Sequence, residues 1–500
     1  MHLMGLDVGS TGVKAVVFTP EGAIVGSAYR EYPEVYPAPG WIELRPDEVW
    51  EATRTVISEA AAQAGGGVRS LAISALGEAF TPVAEDGSFL HNTIVSPDTR
   101  ATAQADRWRE TLGAERVFAI TGMPLHASFT LNKLIWMREE RPDIHERTSK
   151  YLLWPEVIQQ RLGLKPRIDH SLAGRTMAFD VTRREWSAEM LNAAGIPRKM
   201  LAEPIAPGEI IGELSAQAAV EVGLEPGCLV VAGGHDQPMN ALGAGVIREG
   251  MCVDGMGTVE CITVAFDRPV LTDAMREHNY GCYPHVVTPM YATIAYNYSA
   301  GSILRWWRDL FGAAEVAEAE RRGVDVYEVL LADLPEAPSG LIWLPYFAGS
   351  GTPWLDARAK GAIIGLALDT GRPQLVKALL EGTCFEIDLN IRALEEAGVP
   401  IDRLRATGGG SRGNTWLQLK ADITGKPVVR LNVSESGCQA GAMLGGVALG
   451  VWSDLAEATE ALVREGEAFE PRADRQAAYA ELRETYAQAW PAVREIAHRL

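Results

Sequence analysis

The sequence predicts a two-domain α/β protein, on three observations. Runs of β-branched residues alternate with helix-like stretches from the first residues onward. A glycine-turn hairpin near the N-terminus is echoed near the middle of the chain. The 500 residues are more than one domain of ordinary size holds.

The elements follow in order. Residues 3–18, LMGLDVGSTGVKAVVF, read as a strand, a tight glycine turn and a strand. Asp47 to Ala62 reads as a helix, with Pro46 before it and Gly65-Gly66-Gly67 after it. Val68 to Ala75 reads as the next strand, and Asn92 to Val95 as another. Leu229 to Ala232 reads as a buried strand that turns at Gly233-Gly234 into a helix near Asp236. Met251 to Thr258, followed by the strand-like Cys261 to Val264, then repeats the opening hairpin. Asp7 precedes Thr11 by four residues, and Asp254 precedes Thr258 by four. Leu404 to Thr407 reads as a strand and Asn414 to Ile423 as a helix. Residues 454–500 read as helices capping the second domain. The boundary is expected near Gly243-Ala244-Gly245-Val246, dividing 1–246 from 247–500.

Composition narrows the function. Hydrophobic residues make up 47% and charged residues 22%, a globular profile. A formal net charge of −19 disfavours nucleic acid and anionic membranes, which attract basic surfaces. No window is apolar enough to span a membrane, and the N-terminus does not read as a signal peptide. The six cysteines form no C-x-x-C pair, which fits reduced thiols in the cytoplasm.

The glycine turns carry the chemistry. No Walker A loop is present; Gly408 to Thr415 comes closest but has Asn414 where lysine belongs. Asp7-Val8-Gly9-Ser10-Thr11-Gly12-Val13-Lys14 is the better phosphate cradle. Its glycines let backbone N–H groups approach oxygens, Ser10 and Thr11 add hydroxyls, and Lys14 adds a cation. Asp7 could hold Mg²⁺ through its water shell. A plain hairpin with a Gly-Ser turn is the structural alternative. Gly408-Gly409-Gly410-Ser411-Arg412-Gly413 fits G-x-G-x-x-G after a strand, with Glu435 where a dinucleotide fold places its ribose ligand. Asp236 follows Gly233-Gly234-His235 and could cap a helix. Held ionised there, it could also take the proton of a substrate hydroxyl. His235 reads as a polar residue lining the cleft.

These residues resemble the FGGY family of carbohydrate kinases, nearly end to end. Ser128 to Glu140, SFTLNKLIWMREE, is similar to the family's first signature. Gly361 to Leu366 with Gln374 to Gly382 is similar to the second. The resemblance implies an actin-like (ribonuclease H-like) ATPase fold, two α/β domains with a cleft between them. It implies transfer of the γ-phosphate of ATP, with Mg²⁺, to a hydroxyl of a sugar or polyol, by a homodimer.

Residue by residue, Asp7, Gly9, Ser10, Thr11 and Lys14 match the first phosphate motif, and Gly255, Gly257 and Thr258 the second. Gly301 lies in a stretch matched near the nucleotide. Gly409, Gly410 and Asn414 match the adenosine motif. Asp236 matches the catalytic base and, with Asp7, a water-mediated hold on the metal. Gly77, Glu78, Asp98, Arg100, Asp236 and Gln237 are the expected sugar contacts. Glu78 stands where xylulose kinases usually carry Met-His and is closer to the acid of glycerol kinases. Asp169 to Ala173 with Phe179-Asp180 looks nearest the fuculose-kinase-like branch. A ketose such as xylulose or a fuculose-type sugar is the first expectation for the substrate, and an aldonate or short polyol the second. A dinucleotide enzyme and a non-kinase actin-like ATPase are the remote alternatives.

Overall fold

The computed structural model describes residues 1–433 and 435–500. Two large mixed sheets form its framework. The first contains β1 (His2–Val8), β2 (Gly12–Phe18), β3 (Ile24–Glu31), β4 (Val68–Ala75), β5 (Ile210–Glu213) and β6 (Leu229–His235). The second contains β7 (Gly250–Met256), β8 (Glu260–Phe266), β9 (Tyr283–Pro284) and β10 (Tyr291–Asn297). A separate pair, β11 (Ile342–Leu344) and β12 (Ala362–Ile364), comes next in the chain. The second sheet is completed by β13 (Ile401–Thr407), β14 (Val428–Leu431) and β15 (Glu465–Phe469).

The sheets repeat one topology. The first runs β5-β6-β4-β1-β2-β3, the second β15-β14-β13-β7-β8-β10-β9. In each, a hairpin (β1–β2 or β7–β8) pairs antiparallel, and its first strand pairs parallel with a later one (β4 or β13). The strand beyond is parallel again, and an antiparallel edge strand finishes that side. The echo of the opening hairpin at Asp254 is therefore a repeat of the whole sheet. β1 and β4 are buried almost throughout because both faces of the sheet are covered.

The helices that matter here are α1 (Pro46–Gln63), α2 (Thr130–Glu140), α3 (His170–Gly174), α4 (Asp236–Gly243), α5 (Gly301–Phe311) and α6 (Arg372–Glu396). Four more follow: α7 (Asn414–Thr424), α8 (Ser436–Ala448), α9 (Leu455–Leu462) and α10 (Ala473–Ala497). α1 opens with Pro46 and two acids, Asp47 and Glu48, and packs on β2 and β3.

The two sheets exchange helices. α4 follows β6 of the first sheet and reaches β7 and β8 of the second. α8 follows β14 of the second sheet but lies across β1, β2, β4 and β6 of the first, and against α4. Glycines permit this close crossing: a Cβ on Gly5 of β1 would sit 1.9 Å from the Cys438 carbonyl oxygen of α8. Val16, Ala72, Leu242, Val253, Ala265, Cys438 and Met443 bury one shared core between the sheets. Each fully buried Leu or Met side chain there contributes about 1.5–3 kcal/mol.

Two expectations change. Gly233 and Gly234 lie inside β6 rather than in a turn after it. The 454–500 segment is not all helix: β15 adds an edge to the second sheet, and α9 packs on α8, while α10 packs on α6 and α7. Among the described residues no helix is long and apolar enough to cross a membrane. The six cysteines are free.

Candidate active site

The carboxyl ends of β1, β4 and β6 bring three acids together. Asp7 is near the end of β1 and accepts a hydrogen bond from Ser74 Oγ of β4 at 2.6 Å. Glu78 lies just past β4, and Asp236 opens α4 directly after β6. Loops at the carboxyl ends of parallel strands are where α/β folds bind ligands.

Asp236 has a strongly shifted carboxyl. Its side chain is 28% exposed and contacts His235 Nε2 at 3.1 Å. Burial first, then the negative charges of Asp7 and Glu78, push its carboxyl up to about 7. The expectation that helix N–H groups keep it fully ionised is corrected: the Gln237 N–H and Arg175 pull it down by less than burial and its neighbours push it up. His235, not Asp236, occupies the N-cap position. The His235 imidazole is buried and within 3.1 Å of the Tyr283 hydroxyl. Burial and the nearby Arg175 hold it neutral, well below the usual histidine range.

Glu78 is ion-paired with Arg175. Arg175 Nε donates to Glu78 Oε1 at 2.5 Å. The Arg175 guanidinium is also stacked near the rings of Phe129 and Tyr283, at 5.2 and 5.1 Å. Glu78 itself has φ = 58°, a left-handed conformation that costs a bulky residue about 1–3 kcal/mol. Its carbonyl is held by Thr130 Oγ1 at 3.2 Å and Lys133 Nζ at 3.4 Å, both from α2. Burial drops the Lys133 ammonium to about 7. A Cβ on Gly77 would come within 2.8 Å of the His235 ring, so Gly77 lets that ring approach.

Asp98 and Arg100, expected as sugar contacts, are paired with each other. Arg100 donates to both Asp98 oxygens at 2.8 Å and to Glu43 at 2.8 Å, and stacks on Trp41 at 4.1 Å. Asp98 also accepts the Ile42 N–H at 2.7 Å. The side chains of Asp98 and Arg100 are fully buried.

The nucleotide side is formed by glycine turns. Gly9 and Gly12 close the first hairpin around Ser10 and Thr11, and Tyr32 donates to the Gly9 carbonyl at 2.6 Å. Lys14 lies opposite Asp7 in the hairpin but is ion-paired with Glu435 at 2.9 Å. Glu435, the ribose ligand of the dinucleotide reading, is thus committed to a lysine on the other sheet. At the second hairpin, the N–H groups of Ala300 and Ser302 donate to the Thr258 carbonyl, and that of Gly301 to Gly257. A Cβ on Gly301 would lie 2.6 Å from the Gly257 oxygen, so glycine is required for α5 to dock there. Gly408 to Gly410 form an exposed turn against Met256, and Asn414 starts α7, its amide oxygen accepting from Arg430.

The repeated hairpins are not chemically equivalent. Asp7 is part-exposed, whereas Asp254 is buried and bonded by Lys420, which also bonds Glu260. Burial alone would lower the Lys420 ammonium, but these two acids push it up; burial raises Glu260.

Asp7 and Asp236 suit a cation. Asp7 lies close enough to raise Asp236, and Lys14, its partner across the hairpin, is ion-paired with Glu435. Such a pair would hold Mg²⁺ through its water shell, which that ion gives up reluctantly.

Similarity to known proteins identifies the class. Residues 2–243 match the N-terminal domain of the FGGY family of carbohydrate kinases, and residues 255–449 match its C-terminal domain. The chain belongs to this family and is an ATP-dependent carbohydrate kinase with the actin-like fold. It is 31% identical over 502 residues to a glycerol kinase of Trichlorobacter lovleyi, covering 97% of both chains. It is 27% identical over 490 residues to a xylulose kinase of Bacillus subtilis, covering 97% of this chain and 96% of the relative. A solved xylulose kinase from Rhodospirillum rubrum superposes with a TM-score of 0.90 at 25% identity, covering 100% of both chains.

Proposed function

We propose that this kinase phosphorylates a hydroxyl of a neutral ketose, such as xylulose or a fuculose-type sugar, or of a short polyol, with Asp236 as general base. The single observation that carries the reading is the Asp236 carboxyl, half-buried at the start of α4 between Asp7 and the Glu78–Arg175 pair. A base near neutrality suits a loose transition state, which needs orientation more than strong deprotonation.

In this reading the acceptor hydroxyl lies against Asp236 and gives up its proton to the carboxylate. A bond forms from that oxygen to the γ-phosphorus, the bridging bond to the β-phosphate breaks, and ADP leaves with the electron pair. Glu78, Arg175, Gly77 and Gln237 orient the sugar. The hairpin turns Gly9-Ser10-Thr11 and Gly257-Thr258, with Gly301, hold the phosphates. Gly409, Gly410 and Asn414 hold the adenosine, and Lys14 exchanges Glu435 for phosphate. Asp7 and Asp236 would hold Mg²⁺ through water, and such an ion would supply charge neutralisation at the phosphates. We assign residues 1–246 chiefly to the sugar and 247–500 chiefly to ATP, in a cytoplasmic homodimer.

A neutral acceptor is favoured over an aldonate because Asp7, Glu78 and Asp236 would repel a fourth carboxylate more than the already paired Arg175 attracts it. A panel of ketoses, aldoses, aldonates and polyols, read by coupled ADP release, tests this. A neutral sugar or polyol is expected to give the highest kcat/KM, and Asp236→Asn to lower kcat by about 10²–10⁴-fold. An aldonate as best substrate would overturn the neutral-acceptor assignment, and an active Asp236→Asn enzyme would remove the base.

A further inference from the structure

The stretch Asp169-His170-Ser171-Leu172-Ala173 has no part in the chemistry above, yet its hydrogen bonds lead to the residue before Asp236. Asp169 caps α3: its Oδ1 accepts the N–H of Ser171 at 2.7 Å and of Leu172 at 3.2 Å. A cap needs no more than this. Here the same oxygen also accepts the Ser171 hydroxyl proton at 2.5 Å. That fixes the direction of the hydroxyl and leaves its lone pairs free. One of them accepts the His235 N–H at 2.9 Å, across 64 residues of chain.

The His235 N–H needs this acceptor. β5 pairs with β6 only as far as Val231, so at His235 the acceptor comes from α3 and not from that strand. Gly234 permits the approach, because a Cβ there would lie 2.7 Å from Ser171 Oγ and 3.3 Å from Asp169 Oδ1. α4 begins at the next residue, Asp236, and its N-cap residue His235 makes no side-chain cap bond. The start of α4 is therefore held from outside, by Ser171. Ser171 and Asp169 are buried, so water does not compete for the bond and neither residue lies open to a substrate.

The far end of α3 serves the same site. Arg175 follows Gly174 directly and bonds Glu78. A Cβ on Gly174 would lie 2.9 Å from Tyr283 Cβ, so glycine lets α3 dock on β9 of the second sheet. Tyr283 in turn meets His235 Nδ1. One five-residue helix thus holds the backbone of Asp236 at its start and the partner of Glu78 at its end.

We propose that Ser171 is a positioning residue for phosphoryl transfer: its hydroxyl, aimed by Asp169, fixes the His235–Asp236 backbone so that the Asp236 carboxylate meets the acceptor hydroxyl. The inference rests on Asp236 being the base. Without the Ser171 bond the start of α4 is free to shift, and a displacement of about 1 Å at a reacting group costs on the order of 10²-fold in rate.

The test is a double-mutant cycle on the full chain. Ser171→Ala and Ser171→Cys are each made in wild type and in the Asp236→Asn background, and kcat and KM are measured with the best acceptor of the substrate panel. In wild type, Ser171→Ala is expected to lower kcat by about 10–100-fold with KM for ATP within about twofold. In the Asp236→Asn background the same change should cost less than about threefold, because the group it positions is already gone. Ser171→Cys keeps the packing but offers only a weak acceptor, and should lose about fivefold or more in wild type and little in the other background. Should Ser171→Ala not fold, Ser171→Cys carries the same comparison. A general loosening of the fold would lower both backgrounds alike, and that result, or a wild-type kcat in either Ser171 variant, would overturn the proposal alone. An Asp236→Asn enzyme as active as wild type would overturn the base and this inference together.

Discussion

Asp236 sits at a carboxyl end of the first sheet with its carboxyl pushed up to about 7, so its charge state changes around neutral pH. Protonated, it cannot accept the hydroxyl proton. The expected kcat/KM for the sugar therefore falls about tenfold per pH unit below about 7 and is level above it. Bound Mg²⁺ favours the ionised form, so raising its concentration should move this limb to lower pH. A pH–rate profile without an acid limb would count against Asp236 as the base. Stability runs the other way. The folded carboxyl lies above its ordinary 3.8, so the folded state is favoured most below that value and loses stability as pH rises to about 7. Asp236→Asn should thus melt higher than wild type at pH 8 and differ little at pH 3.5. The sequence made Asp236, Asp7 and Glu78 legible because each stands beside a glycine turn or in a recognisable motif. Arg175, Lys133 and Glu435 were not legible as partners. Each acts across 55 to 421 residues of chain, and an isolated arginine or lysine carries no local signal of what it will meet.

At the scale of elements, hairpins and helices are locked in pairs. The β7–β8 hairpin is tied to α7 by the buried Lys420 bonds to Asp254 and Glu260, so the turn at Gly257-Thr258 and the turn before Asn414 move as one body. Removing the lysine leaves two buried carboxylates without a cation. Lys420→Met should destabilise the protein by about 3–5 kcal/mol and, where folded, raise KM for ATP more than KM for the sugar. A variant with unchanged thermal midpoint would show that the triad is not holding the hairpin. Strand and helix positions were readable from β-branched runs, prolines and glycines: Val68–Ala75 appears as expected, and α7 to within one residue. β15 was not, because Glu465–Phe469 has only Phe469 buried and lacks the alternation that marks a strand.

At the scale of the whole molecule, two similar halves face each other across the residues just described, joined through α4 and α8. Closure about this shared layer would bring Asn414 and the second hairpin toward Asp7 and Asp236 while shutting out water. Small-angle scattering with sugar and a non-hydrolysable ATP analogue should show a smaller radius of gyration than with either alone. ATP hydrolysis without sugar should be far below the kinase rate. An unchanged radius would argue for a preformed site.

The crossing of α8 over the first sheet also sets a timetable. A chain emerging from the ribosome has made all six strands of that sheet by residue 235, yet the helix that covers one face, Ser436–Ala448, is still about two hundred residues from synthesis. Until it arrives, Leu3, Val16, Ala72 and Val231 face water or a chaperone. The N-terminal half should accordingly be an aggregation-prone nascent species, and a fragment ending near 246 should need residues 436–448 supplied in trans to stay in solution.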